Sequence, residues 1–88
     1  MNSANLRLKV MVATVWNHVN LELDSHTTIR DLKVTALAEA GVGSVDITSF
    51  EVKFRGALVL DETQTLAQLE VPSGASLIVL SARRSPVR

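Results

Sequence analysis

The residues in this 88-residue chain that can do chemistry are few, and most sit in short clusters. Asp24, Ser25 and His26 follow one another and supply each member of a hydrolytic triad. A triad works only when the imidazole meets the serine hydroxyl at one nitrogen and the carboxylate at the other. Three consecutive residues do not present that in-line relay, so the stretch reads as a loop. His18 is the second histidine. Eight extended residues at about 3.3 Å each hold it roughly 26 Å from His26, too far to share a metal ion. Cysteine is absent, which removes thiolate nucleophiles, thiolate metal sites and disulfides. Asp61, Glu62 and Glu51 are candidate carboxylates for acid–base work, but turn chemistry accounts for the adjacent pair. A domain this small, with a filled core, is expected to lack a deep pocket of about 300 Å³ or more. The sequence therefore assigns no catalytic residue, metal ligand or cofactor, and the chain reads as non-enzymatic.

Composition sets the frame for what remains. Nearly half of the residues (47%) are apolar, enough for one domain with its own core. Nine basic and nine acidic side chains balance, so no global field favours nucleic acid or membrane. No apolar run approaches the 18 or so residues of a membrane span, and "MNSANLRLKV" lacks the apolar stretch of a signal peptide. The expectation is a cytoplasmic monomer that binds neither nucleic acid nor membrane.

The elements follow from periodicity. "LRLKVMV" (6–12) places Leu6, Leu8, Val10 and Val12 on one face with Arg7 and Lys9 opposite, and "VNLEL" (19–23) repeats the alternation. "ATVWNH" between them predicts a loose hairpin connection turning near Asn17. The period then changes. Thr28 followed by Asp31 is an acidic capping box; Ile29, Leu32, Ala36 and Ala40 form one helical stripe, and Gly41 stops it. "FEVKF" (50–54) alternates again, "RG" is a turn, "ALVL" a short strand, and "LAQLEV" a helical turn. Leu77 to Ser81 reads as a strand apolar enough for burial on both faces, central in the sheet and parallel to the first strand. The order is β-β-α-β-β-β. The fold class is α+β, with a mixed sheet of four to five strands and one helix packed across it. Residues 1–82 form the domain and 83–88 a basic tail carrying Arg83, Arg84 and Arg88.

In this order and spacing the chain resembles ubiquitin and its β-grasp relatives from about Leu6 to Leu80. "TIRDLKVTA" is similar to the family's helix start, "FRGALVLDETQTLAQLEV" to its turn, short strand and helical turn, and "SGASLIVL" to its closing strand. The resemblance implies core roles for Leu8, Val10, Leu21, Leu23, Ile29, Leu32, Val52, Leu60, Leu66, Val71, Leu77 and Val79. It also implies that Lys33 pairs internally with Asp61 or Glu62, since a buried charge without a partner is expensive to desolvate. Ubiquitin-type tags end in Gly-Gly, whereas Ser85 and Pro86 stand at those positions and no glycine follows Gly74. Glycine gives an activating enzyme access to the tail; proline is bulky and fixed in φ. The ending is similar to that of bacterial ubiquitin-like proteins of type VII secretion and of ubiquitin-like domains within larger proteins.

The family's recognition patch is altered here as well. Its isoleucine falls on Lys53, its histidine on Ile78 and its valine on Leu80, while its loop leucine lies within residues 13–16. The expected function is a non-catalytic module that binds protein partners non-covalently through its sheet face. Ile78 and Leu80 are the expected apolar anchors, Lys53 a selectivity charge, and Trp16 and Arg83 the rim. Trp16 either caps the end of the core or anchors a partner. The alternatives are a covalently attached modifier, an accessory subunit of a larger enzyme or secretion complex, and self-association through an open sheet edge.

Overall fold

The computed structural model describes residues 5–42 and 47–81. Two long strands, β1 (Asn5–Val12) and β2 (Asn17–Asp24), form an antiparallel hairpin in which Val12 lies opposite Asn17. Residues 13–16 are the connection, so the hairpin is loose as expected, and Asn17 belongs to the strand rather than to the turn. Helix α1 (Ile29–Glu39) follows, then β3 (Phe50–Phe54), the two-residue β4 (Ala57–Leu58) and β5 (Ser76–Ser81). The sheet order is β2-β1-β5-β3-β4. β5 is the middle strand, parallel to β1 (Val10 opposite Leu77) and antiparallel to β3 (Val52 opposite Val79).

Local chemistry ends each element where it should end. Thr28 caps α1 by accepting the Asp31 N–H at 3.1 Å. The first helical amides, at Ile29 and Arg30, lack partners inside the helix and donate to the carbonyls of Gln64 and Glu62. At the other end Gly41 adopts φ +77°; its N–H donates to the Ala38 carbonyl and that of Val42 to Leu37. This double return is a Schellman cap, which needs a left-handed residue at the glycine position. "LAQLEV" forms a single tight turn with both ends capped. Thr65 and Gln68 exchange side-chain-to-backbone hydrogen bonds at its start, and Glu70 and Val71 donate back to Ala67 and Leu66 at its end. Arg55 and Gly56 both have positive φ, the geometry of a type I′ turn between β3 and β4. The Arg55 guanidinium lies 4.9 Å from the Phe54 ring centre.

The helix packs on one side of the sheet, and the core lies between them. Val10, Val12, Ile29, Leu32, Ala36, Val52, Leu66 and Val79 are fully buried. Of the core residues implied by the resemblance, Leu23 packs at the core margin. Leu60 is a correction: it is 86% exposed, and Val59 occupies the buried place. The ladder explains the difference. β4 stops at Leu58, and the Val59 N–H donates to the Val52 carbonyl at 2.9 Å, which brings Val59 in and turns Leu60 out. A second correction concerns β5. It is central, but only Leu77 and Val79 are buried; Ile78 is 42% exposed because α1 covers a single face. The stripe of α1 also differs: Leu37 and Lys33 are buried and Ala40 is only half-buried.

Lys33 supplies the ion pair expected of it. Its side chain is 3% exposed, with Nζ 2.6 Å from Glu62 Oε1, and it donates to the Phe50 carbonyl at 2.9 Å. Glu62 is thus the partner. Asp61 instead accepts the Thr63 hydroxyl and the Thr63 N–H. Those two bonds, the hydroxyl foremost, hold the exposed Asp61 carboxyl below its ordinary value.

Candidate functional site

Side chains on neighbouring strands point the same way when they sit opposite each other in the ladder. Five such residues make one row across the outward face of the sheet: His18, Met11, Ile78, Lys53 and Leu58. Ile78 is at its centre, on the middle strand, between Met11 of β1 and Lys53 of β3. Leu58 is 39% exposed on the far side of Lys53. Leu80 lies two residues along β5 from Ile78 and faces outward opposite Glu51. Met11, Lys53 and Leu80 are each half-buried. The face therefore combines an apolar centre with an ammonium group in the same row.

The ladder thus brings Lys53, Ile78 and Leu80 together. Trp16 occupies the β1–β2 connection at the same end of the sheet as Leu80, because the Ala13 N–H donates to the Val79 carbonyl. It is 77% exposed, so it does not cap the core. Its backbone has φ +51°, a left-handed conformation that costs a bulky L residue about 1–2 kcal/mol. Arg83 and the basic tail of residues 83–88 lie outside the described residues. Met11 and Leu58 are members of the face that inspection of single strands overlooked. The alternation of β1 already places Met11 beside Arg7 and Lys9; the place of Leu58 depends on the register of β4.

The other candidates resolve locally. His26 Nδ1 stands 3.1 Å from Asp24 Oδ1, which also accepts the His26 N–H at 2.7 Å. The Ser25 carbonyl is engaged by the Ala67 N–H. This is a surface turn in which the His26 side chain is 84% exposed. Among the described residues no three His, Asp or Glu side chains gather in a metal-binding group. Nor is any helix among them long and apolar enough to cross a membrane. Two open grooves lie on the surface. One, of about 470 Å³, is bordered by Arg7, Lys9, Asn20 and Glu22. The other, of about 450 Å³, lies between Arg30 of α1 and Ile47, Leu58 and Leu60.

No protein-family model matches the chain, and no curated protein matches it. Solved structures do. The chain is similar to a ubiquitin of Caldiarchaeum subterraneum, with TM-score 0.76 and 15% identity over 94% of this chain and 100% of that one. It is similar to a designed protein based on ubiquitin, with TM-score 0.75 and 15% identity over 96% of each chain. A ubiquitin-like domain of an Arabidopsis thaliana protein gives TM-score 0.71 and 14% identity over 96% of this chain and 84% of that one. With the five-stranded mixed sheet and its single crossing helix, these likenesses establish that the chain has the ubiquitin-like β-grasp fold.

Proposed function

We propose that this chain is a non-catalytic, ubiquitin-like interaction module that binds protein partners non-covalently through the outward face of its sheet. One observation carries the reading: Ile78 is 42% exposed at the centre of the middle strand, with Met11 beside it and Leu80 along it. Single exposed aliphatics are ordinary on a protein surface, but neighbouring ones on a rigid ladder make a surface that gains from being covered. Lys53 selects among partners, because an aliphatic group placed against its ammonium would desolvate it without compensation. Trp16 and Arg83 serve the rim. The strained backbone of an exposed Trp16 favours that role, since the ring contributes little to the core.

The test compares affinity purifications from cells expressing the wild-type chain, Ile78→Asp, Leu80→Asp and the control Val34→Asp. Val34 is 40% exposed on the helix, away from the outward face. Partners should be retained by the wild type and Val34→Asp and lost from both sheet variants, with circular dichroism unchanged. Equal recovery on all four baits would falsify the surface assignment. Higher-mass adducts that survive denaturing gels would move the chain to the class of covalent modifiers.

A further inference from the structure

The groove beside β1 is continuous with the outward face. Lys9, in its wall, and Met11 are two residues apart on one strand and share a face, about 6.6 Å from each other. Lys9 has Asn20 and Ser76 opposite it across the two ladders, and Arg7 and Met11 on either side along β1. None of these four can neutralise it. Lys9 has no part in the Lys33–Glu62 ion pair or in the contact of His26 with Asp24. Lys9 is exposed, in a groove it shares with the Asn20 amide, the Arg7 guanidinium and, diagonally across the ladder, the Glu22 carboxylate, with an apolar pair, Met11–Ile78, one strand step away.

We infer that this groove is the acid-binding half of the interaction face: it takes a carboxylate of the partner while an apolar residue of the same segment seats on Met11 and Ile78. The inference rests on the sheet-face reading above and adds the partner's chemistry, an acidic–apolar peptide segment. The spacing is set by β1. An extended peptide separates residues i and i+2 by about the same 6.6 Å, and a helix separates i and i+4 by about 6 Å along its axis. The acid and the apolar residue of the partner therefore stand two apart in an extended segment or four apart in a helix. Glu22 is also in the groove wall, opposite Arg7. A singly charged carboxylate suffers less from that neighbour than a phosphate carrying nearly two charges, so the groove suits an acidic side chain better than a phosphoryl group.

The experiment titrates the isotopically labelled full chain, followed by amide chemical shifts, with three probes. These are a synthetic peptide of Leu-Ser-Asp repeats, the same peptide with asparagine for aspartate, and inorganic phosphate. With the Asp peptide, the amides of Arg7, Lys9, Asn20, Met11 and Ile78 should move together. The Asn peptide should bind about two- to fivefold more weakly, the scale of an exposed charge pair. Lys9→Gln should erase that difference, Lys9→Arg should restore it, and about 1 M salt should remove it by shortening the screening length to about 3 Å. The groove assignment is overturned if the two peptides bind alike, if no shifts appear with either, or if phosphate shifts the groove as strongly. If Ile78→Asp weakens both peptides equally while Lys9→Gln changes nothing, the groove assignment falls and the sheet face stands. If neither variant matters, both fall.

Discussion

Replacing Glu62 by alanine tests how the core tolerates a buried cation. Lys33 is 3% exposed and its ammonium contacts Glu62 at 2.6 Å and the Phe50 carbonyl at 2.9 Å. Removing one partner of a fully buried pair costs about 3–5 kcal/mol, because the remaining charge stays desolvated. The Glu62 side chain is 24% exposed, so water can enter the vacated place, and the expected loss falls to about 2 kcal/mol. Against a total of about 4–13 kcal/mol for a chain of this length, that lowers the melting temperature by about 8–16 °C. Urea unfolding followed by far-ultraviolet circular dichroism is the assay; Trp16 is 77% exposed and its fluorescence is a poor reporter of unfolding. Lys33→Met completes a double-mutant cycle, since methionine fills the slot without the ammonium. The double variant should be more stable than the sum of the single losses allows, with a coupling of about 1–3 kcal/mol. A Glu62→Ala loss below about 0.5 kcal/mol with no coupling refutes the reasoning, and Lys33 is then sustained by the Phe50 carbonyl and water.

Three further outcomes are expected. Trp16→Gly should raise stability by about 0.5–1 kcal/mol, since glycine relieves the left-handed backbone and returns only part of that gain to the unfolded chain; a loss in urea unfolding would mean that the ring packs. Leu66→Ala, at a fully buried site, should cost about 2–5 kcal/mol. Leu60→Ala, six positions earlier but 86% exposed, should cost less than about 0.5 kcal/mol, and the two denaturation midpoints decide it. Thr63→Val should return the Asp61 carboxyl toward 3.8, followed by its carbon shift through an acid titration. The sign follows from the depressed value in the folded state. The contribution of Asp61 to stability is complete above 3.8 and fades as pH falls through the lower folded value, so the variant should be the less stable of the two above about pH 4 and the difference should close as pH falls below it.

Period and caps made most of the architecture legible. Leu8, Val10, Val12, Leu21, Ile29, Leu32 and Val52 announce their burial by spacing alone, and Thr28 and Gly41 bracket the helix with their caps. The failures share one cause: register between strands is a tertiary property. In "ALVL" either Val59 or Leu60 fits a core position, and only the bond from Val59 to Val52 decides. In "SLIVLS" four apolar residues in succession suggest two covered faces, and only the single helix on one side leaves Ile78 open. The candidate face was half visible for the same reason. Lys53, Ile78 and Leu80 came from the family likeness, whereas Met11 and Leu58 join them only when five strands are aligned. The left-handed backbone at Trp16 has no signature in residue type, since tryptophan is among the residues least suited to it.

The parallel contact between β1 and β5 has a kinetic consequence. Lys9 meets Ser76 across sixty-seven positions of chain, and closing a loop of that length costs about 4 kcal/mol of entropy before any contact repays it. The β1–β2 hairpin and α1 involve near neighbours and can assemble early; β5 is the keystone that arrives last. Until Ser81 has left the ribosome, β1 and β3 each expose a hydrogen-bonding edge to other chains. A cut in the turn at Ser73–Gly74 would return the finished sheet to that aggregation-prone condition.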